Sequence, residues 1–168
     1  TTAIGWDQLP GILKQIVPPS FPGKDFLVGD YNAVGDGNTD CTGAFARAID
    51  ACHAAGGGRV VVPAGVYLTG AIHLKSNVNF HLLKGAVLHF STDPRKYLPL
   101  VYTRWEGVEC MNYSALIYAF EQENIAVTGD GILDGQGSLE NWWAWKGRPD
   151  RDGKSARENQ SAARKKLL

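Results

Sequence analysis

The sequence predicts a β-rich solenoid closed at its N-terminal end by a helix, and three observations carry that expectation. From residue 59 to about 134 the chain is a series of short apolar runs punctuated by Gly, Asn, Asp and Pro. Several runs lack strict alternation, and the segments between them are too short for the helices that join parallel strands in layered α/β proteins. A weak repeat sets Asn77-Val78-Asn79-Phe80 and Gly85-Ala86-Val87-Leu88 against Asn124-Ile125-Ala126-Val127 and Gly131-Ile132-Leu133. Stacked coils answer all three, because each strand pairs with the strand of the next coil and the corners need no helix. The distance between the two copies suits about two coils of twenty-odd residues each. An antiparallel sandwich satisfies the apolar runs as well.

The elements follow in chain order. Leu9, Ile12, Leu13, Ile16 and Val17 share one helical face, Asp7 stands where it can cap that helix, and Pro18-Pro19 ends it. Phe26-Leu27-Val28 reads as a first strand, and Gly35-Asp36-Gly37-Asn38 as a turn. A second helix has the stripe Cys41, Ala44, Phe45, Ala48, Ile49 and Cys52, with Thr39 or Asp40 as cap and Gly56-Gly57-Gly58 as stop. Its stripe must be buried, so it is expected to cover the exposed edge of the first coil. Strands are expected at residues 60–62, 66–68, 71–74, 78–83, 86–90, 116–120, 125–127 and 132–133. Glycines at the corners supply positive φ, and Ser76-Asn77 and Glu123-Asn124 suit corners where a side-chain amide bonds the backbone.

Seventeen basic and seventeen acidic residues leave no net charge on 168 residues. With no basic stripe, nucleic acid and membrane surfaces are excluded as main partners, since both demand clustered Lys and Arg. The enrichment between Lys146 and Lys166 is diluted by Asp150, Asp152 and Glu158 and reads as a solvated segment. Cys41 and Cys52 lie about 16 Å apart on one helix and cannot pair with each other. Thr1-Thr2-Ala3 is not a signal-peptide start, and no run is long enough to span a bilayer as a helix.

Motif order is the specific signal. Tyr31-Asn32-Ala33-Val34-Gly35-Asp36-Gly37-Asn38-Thr39-Asp40, an Ala-rich helix, and Gly56-Gly57-Gly58-Arg59-Val60-Val61-Val62-Pro63-Ala64-Gly65-Val66-Tyr67 resemble the start of pectin-degrading β-helix enzymes. His73-Leu74-Lys75-Ser76-Asn77-Val78, Lys84-Gly85-Ala86-Val87-Leu88, and the run Gly129-Asp130-Gly131-Ile132-Leu133-Asp134-Gly135-Gln136-Gly137 with Trp142-Trp143 extend the likeness. Together they resemble the opening of family 28 glycoside hydrolases, the polygalacturonase-like enzymes. The resemblance implies an all-β fold: the N-terminal coils of a right-handed parallel β-helix with an N-terminal capping helix. It divides the chain into a helical extension (1–24), the N-terminal part of the β-helix domain (25–146), and a polar segment (147–168) leading to downstream coils. It also implies a secreted or periplasmic parent enzyme that inverts at galacturonic-acid linkages of pectic polysaccharide and needs no cofactor. The remaining coils would come from the same protein or a second chain. A non-catalytic, tailspike-like carbohydrate-binding module and a pectate-lyase-like β-eliminating enzyme are the alternatives.

Inverting hydrolysis places two carboxyl groups about 6.5 to 9.5 Å apart across the scissile bond. The family draws them from an Asn-x-Asp and a later Asp-Asp, followed by Gly-His-Gly and Arg-x-Lys. This sequence has no Asp-Asp and no Gly-His-Gly. Asn38-Thr39-Asp40 matches in letters but precedes the first long helix, where Asp40 reads as a cap. Asp130 and Asp134 flank Gly131 and read as turn residues; in one extended strand they would stand about 13 Å apart. No residue of this chain is therefore assigned to catalysis. His73, His81 and His89 recur too closely to stack on one another, so no metal site is assigned either. Sugar contact falls on the segment 103–114, with Arg104, Trp105, Glu106 and Asn112 as candidate substrate-binding residues. Arg forks onto a uronate carboxylate and Trp covers a sugar face, while the same segment can serve as a packed loop on the solenoid flank. Trp142, Trp143 and Trp145 read as local core.

Overall fold

In the computed structural model, which describes residues 5–138 and 140–141, three stacks of parallel strands wind into a right-handed β-helix. A 3-10 turn (Gly5–Gln8) leads into α1 (Leu9–Leu13), and β1 (Asp25–Leu27), β2 (Asp36–Asp40) and α2 (Thr42–Ala54) follow. The first full coil is β3 (Gly58–Val62), β4 (Gly65–Thr69) and β5 (Ile72–His73). The second opens with β6 (Val78–Leu82) and β7 (Ala86–Phe90), then leaves the solenoid through a 3-10 turn (Pro94–Tyr97). A hairpin of β8 (Val101–Trp105) and β9 (Val108–Asn112) precedes the return to β10 (Ile117–Tyr118). The third coil gives β11 (Ala126–Gly129) and β12 (Ile132–Asp134). The stacks are β1-β3-β6-β11, β2-β4-β7-β12 and β5-β10, every step parallel.

Register turns this winding into a core. Val60, Phe80 and Val127 stack on the inner side of one sheet, and Tyr67, Leu88 and Leu133 on the inner side of the next. Phe80, Leu88 and Val60 are fully buried. Val127 and Leu133 point the same way yet are 41% and 44% exposed, because β11 and β12 are the last strands of their stacks among the described residues. At the opposite end α2 lies against β1, β3 and β6, as the sequence predicts for a cap. Every residue of its predicted stripe is buried, and Phe45 meets Phe80 edge-on at 5.7 Å between ring centroids. Asp40 starts α2 from just outside: its Oδ1 accepts the Thr42 amide at 2.9 Å and the Thr42 hydroxyl at 2.6 Å.

Three expectations are corrected. The Asn77 and Asn124 repeat spans one coil rather than two, since β6 pairs directly with β11 and the separation of 47 residues contains the hairpin excursion. Asn124 Nδ2 donates to Asn77 Oδ1 at 2.9 Å, so the two corners form a side-chain ladder. Residues 36–40 form a strand as well as a turn: Asp36 Oδ1 accepts the Asn38 and Thr39 amides while β2 pairs with β4 through a register shift. The N-terminal helix is shorter than its apolar pattern, has no side-chain cap from Asp7 and buries none of its residues. The thiols of Cys41, Cys52 and Cys110 are free, and the first two are buried.

Candidate functional site

The second coil departs from regular winding through a hairpin, and the candidate site sits there. Glu106 and Gly107 take φ of 47° and 87°, the double left-handed turn that matches the twist of a two-residue hairpin. Antiparallel pairing then sorts the strands into two faces: Tyr102 opposes Met111 and Arg104 opposes Glu109, while Thr103 opposes Cys110 and Trp105 opposes Val108. The hairpin leans on the third stack by the Tyr118 hydroxyl, which donates to the Tyr102 carbonyl at 2.7 Å, and by an edge-on contact of Tyr102 with Phe120 at 5.2 Å.

Between hairpin and coil lies an open groove of about 390 Å³, lined by Tyr102, Thr103, Arg104 and Glu109 on one side and Tyr118 and Phe120 on the other. Arg104 Nη2 reaches Glu109 Oε1 at 3.4 Å, and both side chains are more than half exposed, so the pair is loose and screened. The Glu109 carboxylate accepts from the Tyr102 hydroxyl and raises its pKa. Of the four residues the sequence singles out, only Arg104 lines the groove. Glu106 occupies the turn, and Trp105 and Asn112 belong to the opposite face of the hairpin, with Trp105 59% exposed. Tyr102, Tyr118 and Phe120 lie outside the segment 103–114 to which the sequence points, and Glu109 lies within it without being among the four singled out. Period-two alternation would have linked Tyr102 to Arg104 once the Glu106-Gly107 turn was recognised. Aromatic faces beside a guanidinium can hold a sugar ring that bears a carboxylate. They offer no acid–base pair.

Four aspartates elsewhere are held by architecture. Asp25 is lowered by its two hydrogen bonds from Arg59, and Asp93 by Arg95. The Thr39 amide, the Asn38 amide and the Thr39 hydroxyl hold Asp36 at about 2. For Asp40 burial favours the neutral acid, but Lys96 at 2.7 Å with the Thr42 hydroxyl and amide outweighs it and brings the pKa to about 2. Both start from 3.8, so the stability they contribute is complete above that pH and is lost as pH falls through about 2. Asp40→Asn is expected to cost about 1 kcal/mol near neutrality, discounted because the side chain is 39% exposed, and to flatten the fall of melting temperature between pH 4 and 2. Parallel acid curves for the two proteins would contradict this.

Histidines are separated by the winding. His73 on β5 has its pKa lowered by burial and meets the Ser114 hydroxyl at 3.0 Å. His81 on β6 meets Thr128 at 2.7 Å, and His89 on β7 stands 3.6 Å from Asp134. Among the described residues no group of three or more His, Cys, Asp or Glu is placed to hold a metal ion, and no helix is long and apolar enough to cross a membrane. Trp142, Trp143, Trp145 and the segment 147–168 lie outside the described residues.

The handedness, the three parallel stacks and the corner ladder place the chain among right-handed parallel β-helix proteins. The family model for rhamnogalacturonase A/epimerase, pectate lyase-like proteins matches residues 26–83. An exo-poly-α-D-galacturonosidase of Dickeya chrysanthemi is 39% identical over 122 residues, which are 68% of this chain and 20% of that protein. The exopolygalacturonase of Thermotoga maritima superposes with a TM-score of 0.81 at 43% identity, covering 94% of this chain and 36% of its own. A family 28 exopolygalacturonase of Yersinia enterocolitica gives a TM-score of 0.60 at 35% identity, over 80% of this chain and 24% of its own. Over about two thirds of its length the chain is similar to polygalacturonases, including a family 28 exopolygalacturonase. It spans about a fifth of the Dickeya relative's length.

Proposed function

We propose that this chain forms the first coils of an enzyme that hydrolyses galacturonic-acid linkages in pectic polysaccharides with inversion, the catalytic aspartates being supplied by coils that follow. The observation that carries the reading is the 43% identity to an exopolygalacturonase along 94% of the chain. Two features of the chain support the division of labour. Asp25, Asp36, Asp40 and Asp93 are all pushed toward the ionised form, the reverse of what a general acid needs. The inward-facing Val127 and Leu133 are exposed at the last strands, a surface that a further coil of the same protein or of a second chain would bury. In this reading the Arg104 groove holds a uronate unit of the polymer away from the reacting bond. Trp105, Glu106 and Asn112, on the turn and the other hairpin face, would meet the chain from outside it. A polymeric pectic substrate implies a secreted or periplasmic enzyme, with neither nucleic acid nor membrane as partner.

The test is an assay on polygalacturonate that follows reducing ends and the absorbance of unsaturated products together. The parent protein with its following coils is expected to release reducing ends without unsaturated product, and residues 1–168 alone to release neither. Arg104→Ala in the parent is expected to raise KM several-fold with little change in kcat, because a contact remote from the reacting bond holds ground state and transition state alike. Unsaturated product would make the enzyme a lyase, a binding-only parent would make it a recognition module, and turnover by the isolated chain would overturn the division of labour.

A further inference from the structure

Residues 18–25 run along the solenoid in reverse. Ser20 donates its amide to Asn124 Oδ1 at 3.1 Å and accepts from Asn124 Nδ2 at 2.8 Å, so it lies at the corner of the third coil. Four residues later the Lys24 carbonyl accepts the Arg59 amide at 2.8 Å, and Asp25 opens β1 beside the first coil. From β11 through β6 and β3 to β1 there are three strand spacings, about 14 Å in all, and five extended residues reach about 16 Å. The strap therefore runs from the third coil back to the first, with one tight turn where the Lys24 amide donates to the Pro22 carbonyl at 2.8 Å. Gly58 lets it lie against the corner, since a Cβ there would stand 2.5 Å from the Lys24 carbonyl oxygen.

Continued upstream of Ser20, that direction would lead past the third coil. Pro18-Pro19 keep it extended, and α1 with its trailing turns to Ile16 follows. Trp6, Leu9, Ile12, Leu13, Ile16 and Val17, of which Leu9, Ile12 and Leu13 lie on α1, are all 40 to 86% exposed. So apolar a segment, tethered to the solenoid by paired amide bonds, requires a cover.

We infer that residues 5–17 dock on the outer side of the coils that follow the third, continuing along the corner the strap already occupies. This rests on the reading that further coils extend the solenoid. The occupant follows from continuity: the strap is bonded to Asn124 at the corner of the third coil, Asn124 is bonded to Asn77 at the corner of the second, and a strap continued in that direction would next meet a fourth coil. Even at a helical rise of about 1.5 Å per residue, thirteen residues measure about 20 Å, enough to cross roughly four coils. The N-terminus would then clamp early coils to later ones.

Amide hydrogen exchange of residues 5–17 tests this in two proteins, the 168-residue chain and the parent with its following coils. Exchange is expected to be at least about tenfold slower in the parent, and the protection to vanish in the double variant Leu13→Glu, Ile16→Glu. Equal exchange in both proteins would overturn the docking. So would protection already present in the short chain, which would assign the cover to this chain's own residues, or protection that rises with protein concentration, which would assign it to a second copy. Turnover of polygalacturonate separates the two readings: an active parent with unprotected residues 5–17 refutes only the docking, and a protected but inactive parent refutes only the hydrolase.

Discussion

Phe45→Asp is expected to unfold the N-terminal end of the solenoid, with a loss of stability above about 5 kcal/mol. Phe45 is 1% exposed and is the contact through which α2 meets the coil interior, edge-on to Phe80 at 5.7 Å and tilted against Tyr67 at 6.0 Å. Truncation of a buried Phe alone costs about 3 to 5 kcal/mol. The carboxylate adds the cost of an unpaired charge, because the core cluster that Phe45 shares with Ala48, Ile49 and Val60 is apolar and buried. Phe45→Leu keeps an apolar side chain in the same space and is expected to lose only about 1.5 kcal/mol or less. Urea unfolding of the three proteins gives the comparison. An Asp variant with the midpoint of the original would mean that α2 does not cap the solenoid.

That burial was legible because α2 is amphipathic at helical period and has a single face to hide. The coils were legible for a related reason: apolar runs end at residues that solve a corner, as Asn77 and Asn124 do with φ of 65° and 53°. What escaped notice was structure held by pairing rather than by pattern. In β2 the composition of residues 36–40 is that of a turn, and locally it is one; only the approach of β4 makes it a strand. The hairpin alternates on two faces that both meet solvent, so no apolar run announces it, and Glu106-Gly107 is a weaker turn signal than Asn-Gly.

The site followed the same division. Arg104 is singled out by its chemistry, since a guanidinium in a segment with aromatic residues points to an acidic sugar, and it lines the groove. Its neighbours were not found, because Tyr118 and Phe120 arrive from the third stack and Tyr102 is chosen over Trp105 by hairpin register alone. The oddly long second coil was misread as two coils for the same cause. Once the excursion is removed, the step from Asn79 to Ala126 is of the same kind as the step from Arg59 to Asn79.

Gly129→Ala is expected to break the third coil from the second, and a second glycine isolates the reason. Gly129 ends β11 at φ 100°, opposite Leu82, and a Cβ built there collides with the Leu82 carbonyl oxygen. That oxygen accepts the Asp130 amide at 3.0 Å, the bond that starts the corner into β12. A side chain at Gly129 must therefore push β11 away from β6 and release this bond, so the registers of Thr128 with His81 and of Leu133 with Leu88 are lost together. Gly56 has a similar φ of 88° but nothing within 4 Å of its Cβ position, so Gly56→Ala meets only the backbone penalty, about 1 to 2 kcal/mol. For Gly129→Ala the loss is expected to exceed about 3 kcal/mol, because strain and a broken ladder add. Hydrogen exchange should show the difference in place as well as in size: amides of residues 126–134 lose protection in the Gly129 variant and keep it in the Gly56 variant. Equal destabilisation by the two substitutions would mean that left-handed φ, rather than the close approach of adjacent coils, is what glycine supplies at this corner.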